Sequence, residues 1–232
     1  MNFISAQNLS IDFPIYGVNS RSLKKSVLQA ITGGLIVGTT SDTVLIRALE
    51  DITFDFKEGD RVALLGHNGS GKSTLLRTIA GIYEPTRGSM STDGVIVSLL
   101  DIFLGMDMEA TGIENILMRG LLMGISQKRM KTMIDDIVEF SGIGDYIYLP
   151  MRTYSSGMAL RLAFATSTSI DCDILLMDEW LTVGDLEFSE KANSRLNSQI
   201  DKTGIVVLAT HDHELAKNTC NKAYNLEHGK LK

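Results

Sequence analysis

Gly66-His67-Asn68-Gly69-Ser70-Gly71-Lys72-Ser73 is the run that most restricts what this chain can become. It fits G-x-x-x-x-G-K-[ST], a loop that binds phosphate. The pattern has meaning only between a buried strand and a helix. Arg61-Val62-Ala63-Leu64-Leu65 before it is apolar enough for the strand, and Thr74 to Ala80 after it reads as the helix. In that setting the glycines let the backbone wrap closely, so that successive N–H groups face phosphate oxygens. The helix start adds partial positive charge. Lys72 is expected to reach the β- and γ-phosphates, and the Ser73 hydroxyl to ligate Mg²⁺, with Thr74 beside them. A glycine-rich turn that merely ended in Lys-Ser would not need these flanks. The motif demands an α/β unit that binds nucleotide and leaves open what the nucleotide drives.

Composition narrows the surroundings. The 232 residues suffice for one large α/β domain or two small lobes, and 44% hydrophobic with 22% charged residues is ordinary for a globular chain. A formal charge of −6 leaves no basic excess to neutralise nucleic-acid phosphates. Cys172 and Cys220 stand apart, lack zinc spacing and read as packing thiols of a reduced compartment. The first residues lack the two regions of a signal peptide. Val27 to Ile46 is the nearest approach to a membrane span, but glycines, a Thr-Thr-Ser run and Asp42 interrupt it. Work at a membrane would need another chain to cross it.

Along the chain, Ile4 to Phe13 alternates weakly and reads as an edge strand. Pro14 to Arg47 holds a basic, helix-compatible piece (Arg21 to Ala30) and then Gly- and Thr-rich sequence. Leu45 to Phe56 reads as a strand, with Lys57-Glu58-Gly59-Asp60 as a hairpin turn. Gly94 to Leu100 reads as a further strand. Apolar residues at i, i+3, i+4 from Ala110 to Ile143 predict helix, and Tyr154 to Ile170 another. Asp173 to Met177 and Gly204 to Ala209 read as buried strands on either side of a helical Phe188 to Asp201. Tyr224 to Lys230 looks like a closing hairpin. Buried strands before and after a mainly helical middle predict a nucleotide-binding core with a helical subdomain inserted at about residues 101–168.

Two further strings carry chemistry. Ile174-Leu175-Leu176-Met177-Asp178-Glu179 delivers two carboxylates at the C-terminal end of an apolar strand, where ligands of open α/β sheets sit. Asp178 is placed to hold Mg²⁺, and Glu179, one residue on, to polarise an attacking water. Tyr154-Ser155-Ser156-Gly157-Met158 precedes an amphipathic helix; read alone it is a Ser N-cap with a glycine. Between the phosphate loop and the Asp-Glu strand, it resembles L-S-G-G-Q, the signature loop of ABC ATPases. That resemblance covers nearly the whole chain, in the family's motif order. It implies an α/β P-loop NTPase core with an antiparallel β subdomain and the inserted helical subdomain. It also implies that Ser155, Ser156 and Gly157 act on the nucleotide of a second copy, so that ATP joins two copies face to face. His211 falls where the family has its switch histidine, which orients the water and the glutamate. A shared metal for His211 and His213 is disfavoured by their spacing. Val183-Gly184-Asp185 corresponds to the D-loop, with Asp185 facing the partner copy. Phe13 or Tyr16 resembles the aromatic that stacks on adenine.

The departures are informative. Ser156 and Met158 replace Gly and Gln of the signature, and Trp180 stands where Pro commonly follows Asp-Glu. No glutamine follows the Gly94–Leu100 strand, and Asp101 is the nearest polar residue. With Thr111-Gly112-Ile113-Glu114-Asn115, these strings resemble the ATPase subunits of bacterial exporters of O-antigen, capsule and teichoic acid. Phe13 to Gly17 with the insertion after it looks closest to the O-antigen branch. Such subunits often carry a C-terminal carbohydrate-binding domain, which a chain stopping at Lys232 would lack. The resemblance implies ATP and Mg²⁺, a homodimer and two copies of a multi-span permease. It further implies a lipid-linked glycan as cargo, no nucleic acid, and a peripheral place on the cytoplasmic face of the inner membrane. Arg21, Lys24 and Lys25 would touch anionic headgroups or the pyrophosphate lipid, or form a solvated helix face. An ABC subunit for another cargo shares all the catalytic motifs. A soluble ABC ATPase of ribosomes or DNA would bring a second ATPase unit, coiled coils or zinc modules.

Overall fold

The computed structural model describes residues 2–16, 35–39, 43–179 and 186–232. In chain order the strands and helices begin with β1 (Phe3–Tyr16), β2 (Leu35–Thr39), β3 (Thr43–Lys57) and β4 (Arg61–Leu65). Helix α1 (Lys72–Ile79), β5 (Arg87–Asp93) and β6 (Ile96–Ser98) follow. Next come α2 (Gly112–Leu122), α3 (Gln127–Ser141), two short 3-10 turns (Gly144–Tyr148 and Met151–Thr153) and α4 (Ser156–Thr168). The rest is β7 (Ile174–Asp178), α5 (Leu186–Lys202), β8 (Ile205–Thr210), α6 (His213–Thr219), β9 (Lys222–Glu227) and β10 (Lys230–Leu231). The chain divides into two compact units. One holds Met1–Gly94, Met177–Glu179 and Gly204–Lys232; the other holds Val95–Leu176 and Trp180–Thr203.

The first unit contains an antiparallel sheet in the order β2-β3-β1-β5. In β3, Ile52, Phe54 and Phe56 are buried while Thr53, Asp55 and Lys57 are exposed, the alternation expected of a strand with one covered face. Asp12 and Arg47 oppose each other across β1 and β3 and form a two-pronged ion pair, with Nε–Oδ1 at 2.8 Å. The Ile4–Phe13 strand is interior rather than an edge, because β5 covers its other side from Phe3 to Ser10. Its weak alternation reflects register shifts around Asn8, whose φ is 47°. β5 escaped the sequence reading because Arg-Gly-Ser-Met-Ser-Thr-Asp carries almost no apolar residue.

In the same unit β4 lies between β8 and β9, parallel to both, with β10 antiparallel on the far side of β9. Strands covered on both faces lose their alternation; Val62, Ala63, Leu64 and every residue of β8 are buried. The Lys57–Asp60 turn is therefore not a hairpin. β3 and β4 do not pair; the turn passes the chain from one sheet to the other. Asp60 holds it by accepting from Lys57 N at 2.8 Å, and Gly59 N donates to Gly204 O at 2.8 Å. The Tyr224–Lys230 hairpin is present as β9–β10.

The second unit carries β6 and Ile174–Leu176 of β7 in parallel register, Ile96 opposite Ile174, and the helices α2 to α5. The predicted strand over Gly94–Leu100 is shorter, Ile96–Ser98. The single helical run of Ala110–Ile143 is two helices. Gly124, at φ 75°, turns the chain, and Ser126 caps α3 by accepting from Arg129 N. α2 and α3 approach closely at Gly120, where a Cβ would lie 2.1 Å from Met130 Cγ. Phe140, Phe164 and Phe188 pack together from α3, α4 and α5, with Arg195 over the Phe140 ring at 4.3 Å. Among the described residues no helix is long and apolar enough to cross a membrane.

Candidate nucleotide site

The phosphate-binding run begins where buried β4 ends. Gly66 has no space for a side chain: a Cβ would lie 2.4 Å from Leu226 O and 2.7 Å from Ser70 Oγ. The loop then turns into α1 through Gly71, at φ 109°. Gly229 N donates to Ser70 O at 2.9 Å, so the β9–β10 hairpin supports the loop from behind. His67, Asn68 and Gly69 are exposed, whereas Ser70 and Lys72 are buried. Lys72 Nζ donates to Gly66 O at 2.6 Å and His67 O at 3.1 Å, holding its charge inside the curve of the loop. The buried Ser70 Oγ has no hydrogen-bond partner among the described residues.

The first residue pair brought together from distant sequence is Ser73 and Asp178. The hydroxyl of α1 donates to Asp178 Oδ2 at the end of β7, at 2.5 Å. A hydroxyl and a carboxylate so close are hard oxygen donors of the kind a small divalent cation takes. The second pair is Glu179 and His211. Glu179 N donates to Ala209 O at 2.7 Å, which ties its backbone to β8. Its φ of 65° is uncommon for a residue with a side chain and costs on the order of 1 kcal/mol. Its Oε1 lies 2.8 Å from His211 Nδ1. A carboxylate can only accept, so Nδ1 carries the proton and Nε2 remains for another partner. Both side chains are more than half exposed, so the pair is open to solvent.

His211 follows β8, and Asp212 caps α6 by accepting from Glu214 N and Leu215 N. A cavity of about 450 Å³ opens beside these groups, lined by Gly66, His67, His211, His213, Asn225, Glu227 and His228. All four histidines of the chain line it. That convergence was not legible in the sequence, since it depends on β4, β8 and β9 being neighbours. No cluster of three or more His, Cys, Asp or Glu among the described residues could hold a metal ion. Lys232 bonds Glu227 and holds its carboxyl below the usual range.

The aromatic candidates differ in setting. Phe13 packs edge-on against Tyr83, with ring centroids 5.2 Å apart, and Tyr16 is 75% exposed. Ser155, Ser156 and Gly157 belong to the second unit. Ser155 caps α4 by accepting from Met158 N at 3.2 Å, which leaves Ser155 and Ser156 exposed at the helix start. Asp101 is exposed and turned into its own loop, accepting from Phe103 N at 3.2 Å. Asp185, Trp180 and the basic Arg21, Lys24 and Lys25 lie outside the described residues.

One feature of the second unit was missed entirely. The Tyr154 hydroxyl donates to Tyr146 O at 2.7 Å and lies against Gly112, at the start of α2. Burial pushes this phenol above its ordinary range, and the Gly112 backbone opposes the shift.

Comparison with known proteins adds the following. A family model described as ABC transporter matches residues 49–182. The chain is 44% identical, over 99% of its length and 96% of the relative's, to the O-antigen export system ATP-binding protein RfbE of Yersinia enterocolitica. It is 41% identical, over 80% of its length, to the teichoic acids export ATP-binding protein TagH of Bacillus anthracis, of which it spans 34%. Its fold is similar to a dimeric ATP-binding cassette, MJ0796, solved in a post-hydrolysis state bound to ADP and Pi. The TM-score is 0.69 at 20% identity, covering 99% of this chain and 96% of that one.

Proposed function

The chain belongs to the ABC transporter family as an ATP-binding subunit, and we propose that it hydrolyses ATP to drive export of a lipid-linked polysaccharide such as O-antigen. The observation that carries the hydrolytic part is the Glu179–His211 pair beside the phosphate loop. The cargo rests on the relatives, whose names place them in O-antigen and teichoic acid export.

In this reading the loop N–H groups from Gly66 to Ser73, with Thr74, hold the phosphates, and Lys72 turns its ammonium from the loop carbonyls to the β- and γ-phosphates. Ser73 and Asp178 would hold Mg²⁺, and a cation there would supply neutralising charge to the transferring phosphoryl group. Glu179 accepts a proton from the attacking water as the bond to the γ-phosphorus forms and the bond to the leaving ADP oxygen breaks. His211 fixes the carboxylate through Nδ1–H and offers Nε2 to the γ-phosphate side. Phe13 or Tyr16 stacks on adenine. Ser155, Ser156 and Gly157 complete the site of a second copy, with Asp185 facing across, so turnover requires the dimer.

A permease is the natural second partner, because no described helix can span a membrane. Phe103, Leu104, Leu121 and Leu122 support that partnership, being 42 to 64% exposed on the second unit. The subunit would sit peripherally on the cytoplasmic face of the inner membrane, bound to two permease copies. The test of the chemistry is Glu179→Gln. It should bind ATP, lose about a thousandfold of turnover and accumulate as an ATP dimer. Turnover at the parent rate would remove Glu179 from the role.

A further inference from the structure

Among the strings that resemble the exporter ATPases are Tyr154 to Met158 and Thr111 to Asn115. These two meet at one point in the second unit. Thr111 and Glu114 form a reciprocal cap at the start of α2: the Thr111 hydroxyl accepts from Glu114 N, and Glu114 Oε2 accepts from Thr111 N at 2.8 Å. A helix start leaves its first N–H groups without partners inside the helix. This cap serves Thr111 and Glu114 and leaves the first helical N–H, that of Gly112, to be met otherwise. The Tyr154 hydroxyl sits against this first residue, its Oη 2.5 Å from where a Gly112 Cβ would lie. The same oxygen donates to Tyr146 O, in the 3-10 turn that leads to the signature string.

The approach to the string is laced to α2 along its length. Arg152 N donates to Met108 O at 2.8 Å, Met151 N to Ala110 O at 2.9 Å, and Thr111 bridges Pro150. Asn115, wholly buried, gathers the loop before α2 by accepting from Asp107 N and donating to the carbonyls of Asp107, Ala110 and Thr111. Glycine is required at 112 for space: a Cβ there would lie 2.5 Å from Tyr154 Oη and 2.6 Å from Ile147 Cδ1. Tyr154 stands one residue before the Ser155 cap.

We propose that Tyr154 is a positioning residue whose hydroxyl locks the Ser155–Gly157 helix start to the first turn of α2, so that the serine loop is presented to the partner copy's nucleotide in one fixed orientation. This rests on the reading of Ser155 and Gly157 as contacts to ATP held by a second copy. A phenol reaches both elements here, because its hydroxyl donates to Tyr146 O while the same oxygen lies against Gly112. A leucine at this place could pack but could not join the two backbones.

The test uses the full chain in the Glu179→Gln background, with dimer formation by ATP followed by light scattering. Tyr154→Phe should weaken that dimer about tenfold, the effect of a lost hydrogen bond. ATP affinity of the monomer should stay unchanged and its circular dichroism should stay native. Gly112→Ala, which displaces the phenol from the other side, should act like Tyr154→Phe. The two together should do no more than either alone. If Tyr154→Phe dimerises as the Glu179→Gln parent does, or weakens ATP binding by the monomer equally, the lock is refuted while the composite site stands. If the Glu179→Gln parent fails to dimerise with ATP, the composite site falls, and the role of Tyr154 with it.

Discussion

At the scale of single residues, Glu179 shows how a local sequence and a distant one divide the work. Its identity and its place after an apolar strand were legible, because both lie in one short string. Its left-handed backbone, its bond to Ala209 O and its pairing with His211 were not, because each depends on β8 lying nearby. Tyr154 is a harder case. A tyrosine before a Ser N-cap reads as packing, and only the fold brings its hydroxyl to Gly112. The cysteines follow their sequence reading more simply. Cys220 packs beside Ala63, Leu65 and Ala216, and burial pushes its thiol up to about 11. A raised thiol stays protonated in the folded chain while the unfolded chain ionises from its ordinary value of 9.0. The stability this thiol contributes is therefore fully present below pH 9 and is lost from there toward pH 11. Alkylation by iodoacetamide at pH 8, followed by mass spectrometry, should be at least about tenfold slower for Cys220 than for the unfolded chain.

At the scale of elements, length and neighbourhood decided what could be read. β4 and β8 were legible because buried parallel strands are plain apolar runs. β5 was not, being polar, and the position of β1 inside its sheet could not follow from its own alternation. α6 was overlooked because its cap, Asp212, sits between two histidines that drew a chemical reading instead. The break between α2 and α3 needed Gly124 and Ser126 to outweigh a continuous apolar stripe. α2 itself is held by polar groups more than by propensity. Asn115→Leu keeps its volume but strands the Asp107 N–H, while the carbonyls of Asp107, Ala110 and Thr111 lose the amide and keep one backbone donor each. Leaving such an N–H unmet costs about 2 kcal/mol. The thermal midpoint should fall by about 6 °C, measured by calorimetry.

At the scale of the whole molecule, the family was legible because its motifs occur in a fixed order around the phosphate loop. The permease was implied only by the family. Arg119, buried on α2, donates to the carbonyls of Ser98, Asp101 and Leu104, and so holds the exposed Phe103–Leu104 segment in the unit that carries Leu121 and Leu122. If these leucines dock the proposed permease, Leu121→Ser with Leu122→Ser should abolish co-purification with it while circular dichroism and ATP binding persist. Retention of the permease by this variant would move the docking surface elsewhere. α2 runs from the Tyr154 contact at Gly112 to this apolar end at Leu122, 11 residues in all. At 1.5 Å per residue that is about 16 Å of stiff rod. A tilt of about 10° about the Gly112 end would sweep Leu122 through about 3 Å. With a permease docked at Leu121 and Leu122 as proposed, the helix is long enough to turn a small rotation at its first turn into a displacement of atomic size at its far end, as a lever does about its fulcrum.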